Sequence, residues 1–139
     1  MAQLVQDVMT PNPVALEATA SLVEAALAMR DFDVGAVLVL DNGQVRGIVT
    51  DRDIVVRAIA GGNYPATVKL AEICSRELTT LSPTDSVEEA VALMRDKSIR
   101  RLPVVEHGHP VGIVSLGDLA IEKDPHSALG NISAAPPNR

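Results

Sequence analysis

The chain has 139 residues, is 47% hydrophobic and 22% charged, and carries a formal net charge of −6. That length supports one domain with a real core, and the acidic balance excludes a general basic face for nucleic-acid backbones or anionic membranes. One Phe, one Tyr and no Trp leave an aliphatic core and remove the aromatic platforms on which single-stranded nucleic acid stacks.

The N-terminal stretch Met1-Ala2-Gln3-Leu4-Val5-Gln6-Asp7 has no basic region and no long apolar run, so no signal peptide is expected. No segment approaches the roughly 20 apolar residues that span a bilayer. The lone Cys74 cannot form an intramolecular disulfide, which fits a reducing compartment. A cytoplasmic location is expected. Cys74 reads as a small buried apolar residue; a redox role is the alternative.

Residues 8–54 lie over residues 73–119 without a gap. Met29-Arg30-Asp31 falls on Met94-Arg95-Asp96, Glu24-Ala25 on Glu89-Ala90, and Gly47-Ile48-Val49 on Gly112-Ile113-Val114. Two copies are too few for a solenoid and predict a pseudo-twofold pair. The copies open on Val8-Met9-Thr10-Pro11-Asn12-Pro13-Val14 and Ile73-Cys74-Ser75-Arg76-Glu77-Leu78-Thr79. Pro11 and Pro13 favour an extended path. Helices follow, each with a Ser N-cap and a Glu three residues on, at Ser21 and Glu24 and at Ser86 and Glu89. Leu22, Ala25, Ala26 and Met29 share one helical face, as do Val87, Ala90, Val91 and Met94, and both stripes read as core.

Two strands come next in each copy. Ala36 to Leu40 turns at Asp41-Asn42-Gly43, and Val45 to Val49 returns; Leu102 to Val105 turns at His107-Gly108, and Val111 to Val114 returns. Asn-Gly supplies the positive φ values of a two-residue hairpin. Pro103 lacks an N–H and belongs at a strand start or edge. A second helix begins near Asp51, runs through Ile54, Val55, Ala58 and Ile59, and stops at Gly61-Gly62. The expected organisation is a repeat at 4–61, a linker at 62–72, a second repeat at 73–122 and an irregular tail at 123–139, rich in Pro, Ser, Asn and Gly. The fold class is α/β (α+β), with two β-α-β-β-α repeats packed through their sheets.

Gly47-Ile48-Val49-Thr50-Asp51-Arg52-Asp53 and Gly112-Ile113-Val114-Ser115-Leu116-Gly117-Asp118 close the two hairpins. Each runs from a strand through a hydroxyl residue to a carboxylate at a helix start. One reading is an N-cap with an acidic first turn. The other is a site that holds phosphate on helix N–H groups and a ribose diol on the carboxylate. Arg52 and Arg57 near the first motif, and Arg100 and Arg101 near the second, suit phosphate oxygens or surface ion pairs. His107 and His109 read as a solvated turn, with a metal pair as the lesser alternative. No Ser/His/Asp set, metal cluster or P-loop is evident, so an enzyme is not expected.

Repeats of this form, with Gly-h-h-Thr/Ser-x-x-Asp closing the hairpin, resemble CBS domains, and the tandem resembles a Bateman module. The resemblance covers roughly residues 4–122. In layout the chain is similar to small stand-alone two-CBS proteins of actinobacteria, including the hypoxic-response type. The resemblance implies clefts between the repeats that take AMP, ADP, ATP or S-adenosylmethionine, with no metal, and a disc-like homodimer acting on an unknown regulated protein. Carried over by position, Asp53 and Asp118 would meet ribose, and Thr50, Ser115, Arg52 and Arg101 phosphate. Thr10, Pro13, Val14, Ala36, Val37, Thr79, Leu102 and Pro103 would line the adenine pocket, partly through backbone groups. Leu38 stands where the second repeat has Pro103, and Leu116-Gly117 where the first has Asp51-Arg52. The expected function is a non-enzymatic adenosine-nucleotide sensor; a ligand-free structural or protein-interaction dimerisation module is the alternative.

Overall fold

The computed structural model describes residues 3–74, 78–123 and 126–135. Helix α1 (Val5–Val8) leads into strands β1 (Thr10–Pro11) and β2 (Ala15–Glu17), then helix α2 (Leu22–Phe32). Strands β3 (Ala36–Asp41) and β4 (Gln44–Thr50) form a hairpin that feeds α3 (Asp51–Asp53) and a π-helical stretch, Ile54–Ile59. Helices α4 (Leu70–Ile73) and α5 (Val87–Lys97), strands β5 (Arg101–Glu106) and β6 (His109–Ser115), and helices α6 (Leu116–Lys123) and α7 (Ala128–Ala134) complete the chain. The result is a mixed α/β protein with two three-stranded sheets, ordered β2-β3-β4 and β1-β6-β5.

Local sequence accounts for most of these elements. Ser21 Oγ accepts the Glu24 N–H at 3.2 Å while the Glu24 carboxylate accepts the Ser21 N–H at 3.0 Å. Ser86 caps α5 through the Glu89 N–H. Asn42 (φ 53°) and Gly43 (φ 80°) make the first hairpin turn, and His107 (φ 54°) and Gly108 (φ 82°) repeat it, the backbone that two-residue hairpins require. The α2 stripe is buried at Leu22, Ala25 and Met29, but Ala26 is exposed. On α5 the buried set is Val87, Ala90 and Met94, with Val91 half-buried. Both aromatic side chains, Phe32 and Tyr64, face solvent, so the described core is wholly aliphatic.

The chain packs as two compact units that do not follow the repeats. One joins Met1–Asn12 to Thr79–His107 and Val111–Arg139; the other comprises Pro13–Leu78 and Gly108–Pro110. Each repeat's opening helix therefore packs on the other repeat's body. Val5, wholly buried, shares a core with Leu81, Val87, Ala90, Leu102 and Val114. Its N–H bonds to the Asp85 carbonyl at 2.8 Å, and β1 pairs antiparallel to β6. In the second unit Leu70, Ile73 and Cys74 join the core of Leu22, Ala25, Val37 and Val49, and the Leu70 N–H bonds to the Ala20 carbonyl at 2.9 Å.

Two stretches differ from expectation. The residues read as an irregular tail contain α7, whose N-cap Ser127 accepts the Gly130 N–H at 2.9 Å. The stretch read as a linker ends within α4, because Leu70 needs the α2 core to be buried. Pro103 sits inside β5, the edge strand of its sheet, one of the two places expected for it. It is tolerated because its nitrogen lies on the side facing Leu81, where the Pro103 carbonyl accepts and the Val105 N–H donates.

Candidate functional site

Each unit carries one strand-to-helix cap. In the first, β4 ends at Thr50, which leaves the helical region (φ −105°, ψ 164°) and caps α3. Thr50 Oγ1 accepts the Asp53 N–H at 3.1 Å, and Asp53 Oδ2 accepts the Thr50 N–H at 2.9 Å. Ala36 lies opposite Thr50 across the hairpin, and the Asp51 N–H bonds to the Gly35 carbonyl at 3.0 Å. Asp53 Oδ1 faces Arg57 Nε at 3.7 Å, and that guanidinium donates onward to the Ile73 carbonyl at 3.1 Å. Arg57 thus joins the cap to the end of α4. Arg52 is exposed and forms no ion pair with the described residues.

The second cap repeats the geometry. Ser115 Oγ accepts the Asp118 N–H at 3.1 Å, Asp118 Oδ2 accepts the Ser115 N–H at 2.9 Å, and the Leu116 N–H bonds to the Arg100 carbonyl at 2.8 Å. No described cation pairs with Asp118. In both caps the hydroxyl and carboxylate are half-buried. The two readings of the motif are compatible: one carboxylate oxygen is spent on the cap, and capping holds the other in a fixed direction. A carboxylate accepts through both oxygens; the second oxygen of Asp118 has no partner among the described residues, whereas that of Asp53 faces Arg57.

The other anticipated residues divide between the units. Pro13, Val14, Ala36 and Val37 lie with Thr50, Arg52 and Asp53; Thr10, Thr79, Arg101, Leu102 and Pro103 lie with Ser115 and Asp118. Val37 and Leu102 are fully buried in their cores, so only their backbone is available to a ligand. The Leu38 N–H bonds to the Val14 carbonyl at 2.9 Å. At the matching place Pro103 has no N–H, so β5 cannot serve the Thr79 carbonyl in the same way. Ser75, Arg76 and Glu77, part of the expected second opening, lie outside the described residues.

Three features were not apparent from the residues alone. The π-helical winding of Ile54–Ile59 buries Ile54 and Ala58 but leaves Val55 and Ile59 exposed. The Arg57 bridge spans residues far apart in sequence. Helix α7 packs on α6, and its only sequence signal is the capping Ser127. His109 Nδ1 lies 3.1 Å from the Gly43 carbonyl, both within the unit that holds Pro13–Leu78. Among the described residues no cluster of three His, Cys, Asp or Glu side chains suits a metal, and no helix is long and apolar enough to cross a membrane.

With this geometry in view, the model of the CBS domain matches the chain twice, at residues 5–59 and 70–123. The chain belongs to the CBS-domain family, as a tandem of two such domains. It is 41% identical over 133 residues to the CBS domain-containing protein YhcV of Bacillus subtilis, covering 93% of this chain and 94% of that one. Hypoxic response protein 1 of Mycobacterium tuberculosis is 29% identical over 130 residues, covering 93% and 91%. A crystal structure of Hypoxic Response Protein I, with two coordinated zinc ions, superimposes with a TM-score of 0.78 at 30% identity, covering 85% of this chain and 97% of that one. A hexameric CBS-CP12 protein from bloom-forming cyanobacteria gives 0.79 at 29% identity, covering 90% and 74%. Tandem CBS chains of this kind serve regulation or sensing.

Proposed function

We propose that the chain is a non-enzymatic sensor that binds an adenosine nucleotide, AMP, ADP or ATP, or S-adenosylmethionine. Asp53 and Asp118 accept from ribose hydroxyls. Thr50 and Ser115 lie toward phosphate, with Arg52 and Arg101 supplying charge. The observation that carries this reading is the reciprocal hydroxyl–carboxylate pair, present at the same place in both CBS domains, with the second carboxylate oxygen turned to Arg57 at Asp53 and unpaired among the described residues at Asp118. The Thr79 carbonyl, left by Pro103 without the N–H that Val14 receives, is an acceptor suited to the adenine amino group. Output passes to a regulated protein through a homodimer in the cytoplasm. Exposed Val23, Leu27, Val55, Val56 and Ile59 favour self-association, and the hexameric CBS-CP12 relative is in keeping with it.

The test is a thermal-shift titration with AMP, ADP, ATP, S-adenosylmethionine and a GTP control. Ligand at about 100 times its Kd adds roughly 2.7 kcal/mol to stability, so a saturable, adenine-selective rise is expected. The Asp53→Asn variant keeps a capping oxygen but loses the second carboxylate acceptor, and should weaken binding; Asp118→Asn should do so wherever the second site is filled. A flat response to all five would favour a second reading, a ligand-free dimerisation module, for which the exposed aliphatic helix face is the motivating observation.

A further inference from the structure

The two caps differ in what lies over them. Beside the first cap Arg52 is exposed. Beside the second the matching residue is Gly117, and α7 takes the space its side chain would fill. A Cβ built on Gly117 would sit 2.7 Å from Ser133 Oγ and 3.1 Å from Ser133 Cβ, with Ser115 Oγ 3.7 Å from the same point. The capping hydroxyl of Ser115 and the Ser133 side chain of α7 thus flank one small volume over the first turn of α6.

The way α7 is held suits a removable cover. It packs on α6 with Ser133 against Gly117, and Gly130 is its buried residue, while Leu129 and Ile132 are 44% and 73% exposed. Little apolar area is therefore lost when it lifts, which places α7 among the elements that open at low cost. The second unit also keeps its ligand-facing features: the Ser115–Asp118 pair and the Thr79 carbonyl opposite Pro103. A site that retains its acceptors under a weakly held helix is a gated site, not a decayed one.

We propose that α7 is an intramolecular cover of the Ser115–Asp118 site. With α7 docked, only the Thr50–Asp53 site takes nucleotide; the second fills when α7 lifts from Gly117. The inference rests on the nucleotide reading above and adds to it an order of occupancy.

The test uses the full chain and two variants that push α7 away from opposite sides, Gly117→Gln on α6 and Ser133→Leu on α7. Neither residue belongs to a core cluster, and Gln is a better helix former than Gly. Amide exchange of residues 128–134, without nucleotide, reports docking; ATP stoichiometry by calorimetry reports the gate. The parent should protect those amides and bind one ATP per chain. Both variants should exchange there about tenfold faster or more and bind two. Unprotected α7 amides in the parent, or two ATP bound by the parent, overturn the cover. Released α7 with stoichiometry still at one overturns the gate and leaves the nucleotide reading standing. ATP bound by none of the three proteins overturns the nucleotide reading and the gate with it.

Discussion

At the scale of single residues, the caps carry both stability and recognition, and substitutions separate the two. Thr50 and Ser115 each satisfy an orphan N–H at a helix start. Thr50→Ala or Ser115→Ala should cost about 1 kcal/mol in chemical denaturation. Asp53→Asn should cost less than Asp53→Ala, since the amide oxygen can still accept the Thr50 N–H. Equal losses for the two Asp53 variants would mean that Arg57, not the cap, is the partner that matters. Cys74 is 8% exposed within the aliphatic core, its Sγ 3.9 Å from the Ala71 carbonyl. Its thiol should react with a bulky aromatic disulfide only slowly until denaturant is added. Rapid labelling of the native protein would revive the redox alternative for this residue.

Secondary-structure elements fail in ways set by what each must bury. Leu70 on α4 is wholly buried in the first repeat's core, so Leu70→Ala should cost about 2–5 kcal/mol, as much as truncating Leu22 on α2. Loss of less than about 1 kcal/mol would show that α4 is not docked. The pairing of β1 with β6 depends on Gly112, where an added Cβ would collide with Met9 Sδ and fall 3.0 Å from the Thr10 carbonyl. Gly112→Ala should therefore displace β1. The end of α6 is tied to α5 by Lys123 and Glu88, and the hydrogen bond from Lys123 lowers the Glu88 pKa below its ordinary value. A depressed carboxyl pKa contributes above the unfolded value and is lost as pH falls through the folded one. Exchange protection at the end of α6 should accordingly be intact near neutrality and decline in the acid range. Glu88→Gln should remove that pH dependence.

For the molecule as a whole, the exposed aliphatic side chains of α2 and the π-helical stretch set the expected assembly. Val55, Val56 and Ile59 are about half exposed, an apolar patch whose burial would offset the repulsion between chains of net charge −6. Under the proposed homodimer, Val56→Glu with Ile59→Lys should shift the sedimentation mass from dimer to monomer at micromolar concentration. An unchanged mass would place the interface elsewhere.

Sequence by itself determined what is encoded within a few residues. The matched repeats, the Ser21 and Ser86 caps, the hairpin turn at Asn42-Gly43 and the hydroxyl–carboxylate pairs were all legible, because caps, turns and apolar periodicity act between near neighbours. The same nearness limits that reading. Val5 and Leu70 head short apolar segments of similar character, and nothing local says which core each will enter; only the three-dimensional fit sends Val5 to the second repeat and Leu70 to the first. Ala26 lies on the periodic stripe of α2 yet is exposed, because a periodic stripe cannot show how wide a face its neighbours will cover. Arg57 reached the Ile73 carbonyl, and α7 reached Gly117, across separations where pattern carries no information. Those contacts were decided by tertiary packing, which alone determines what each local motif meets.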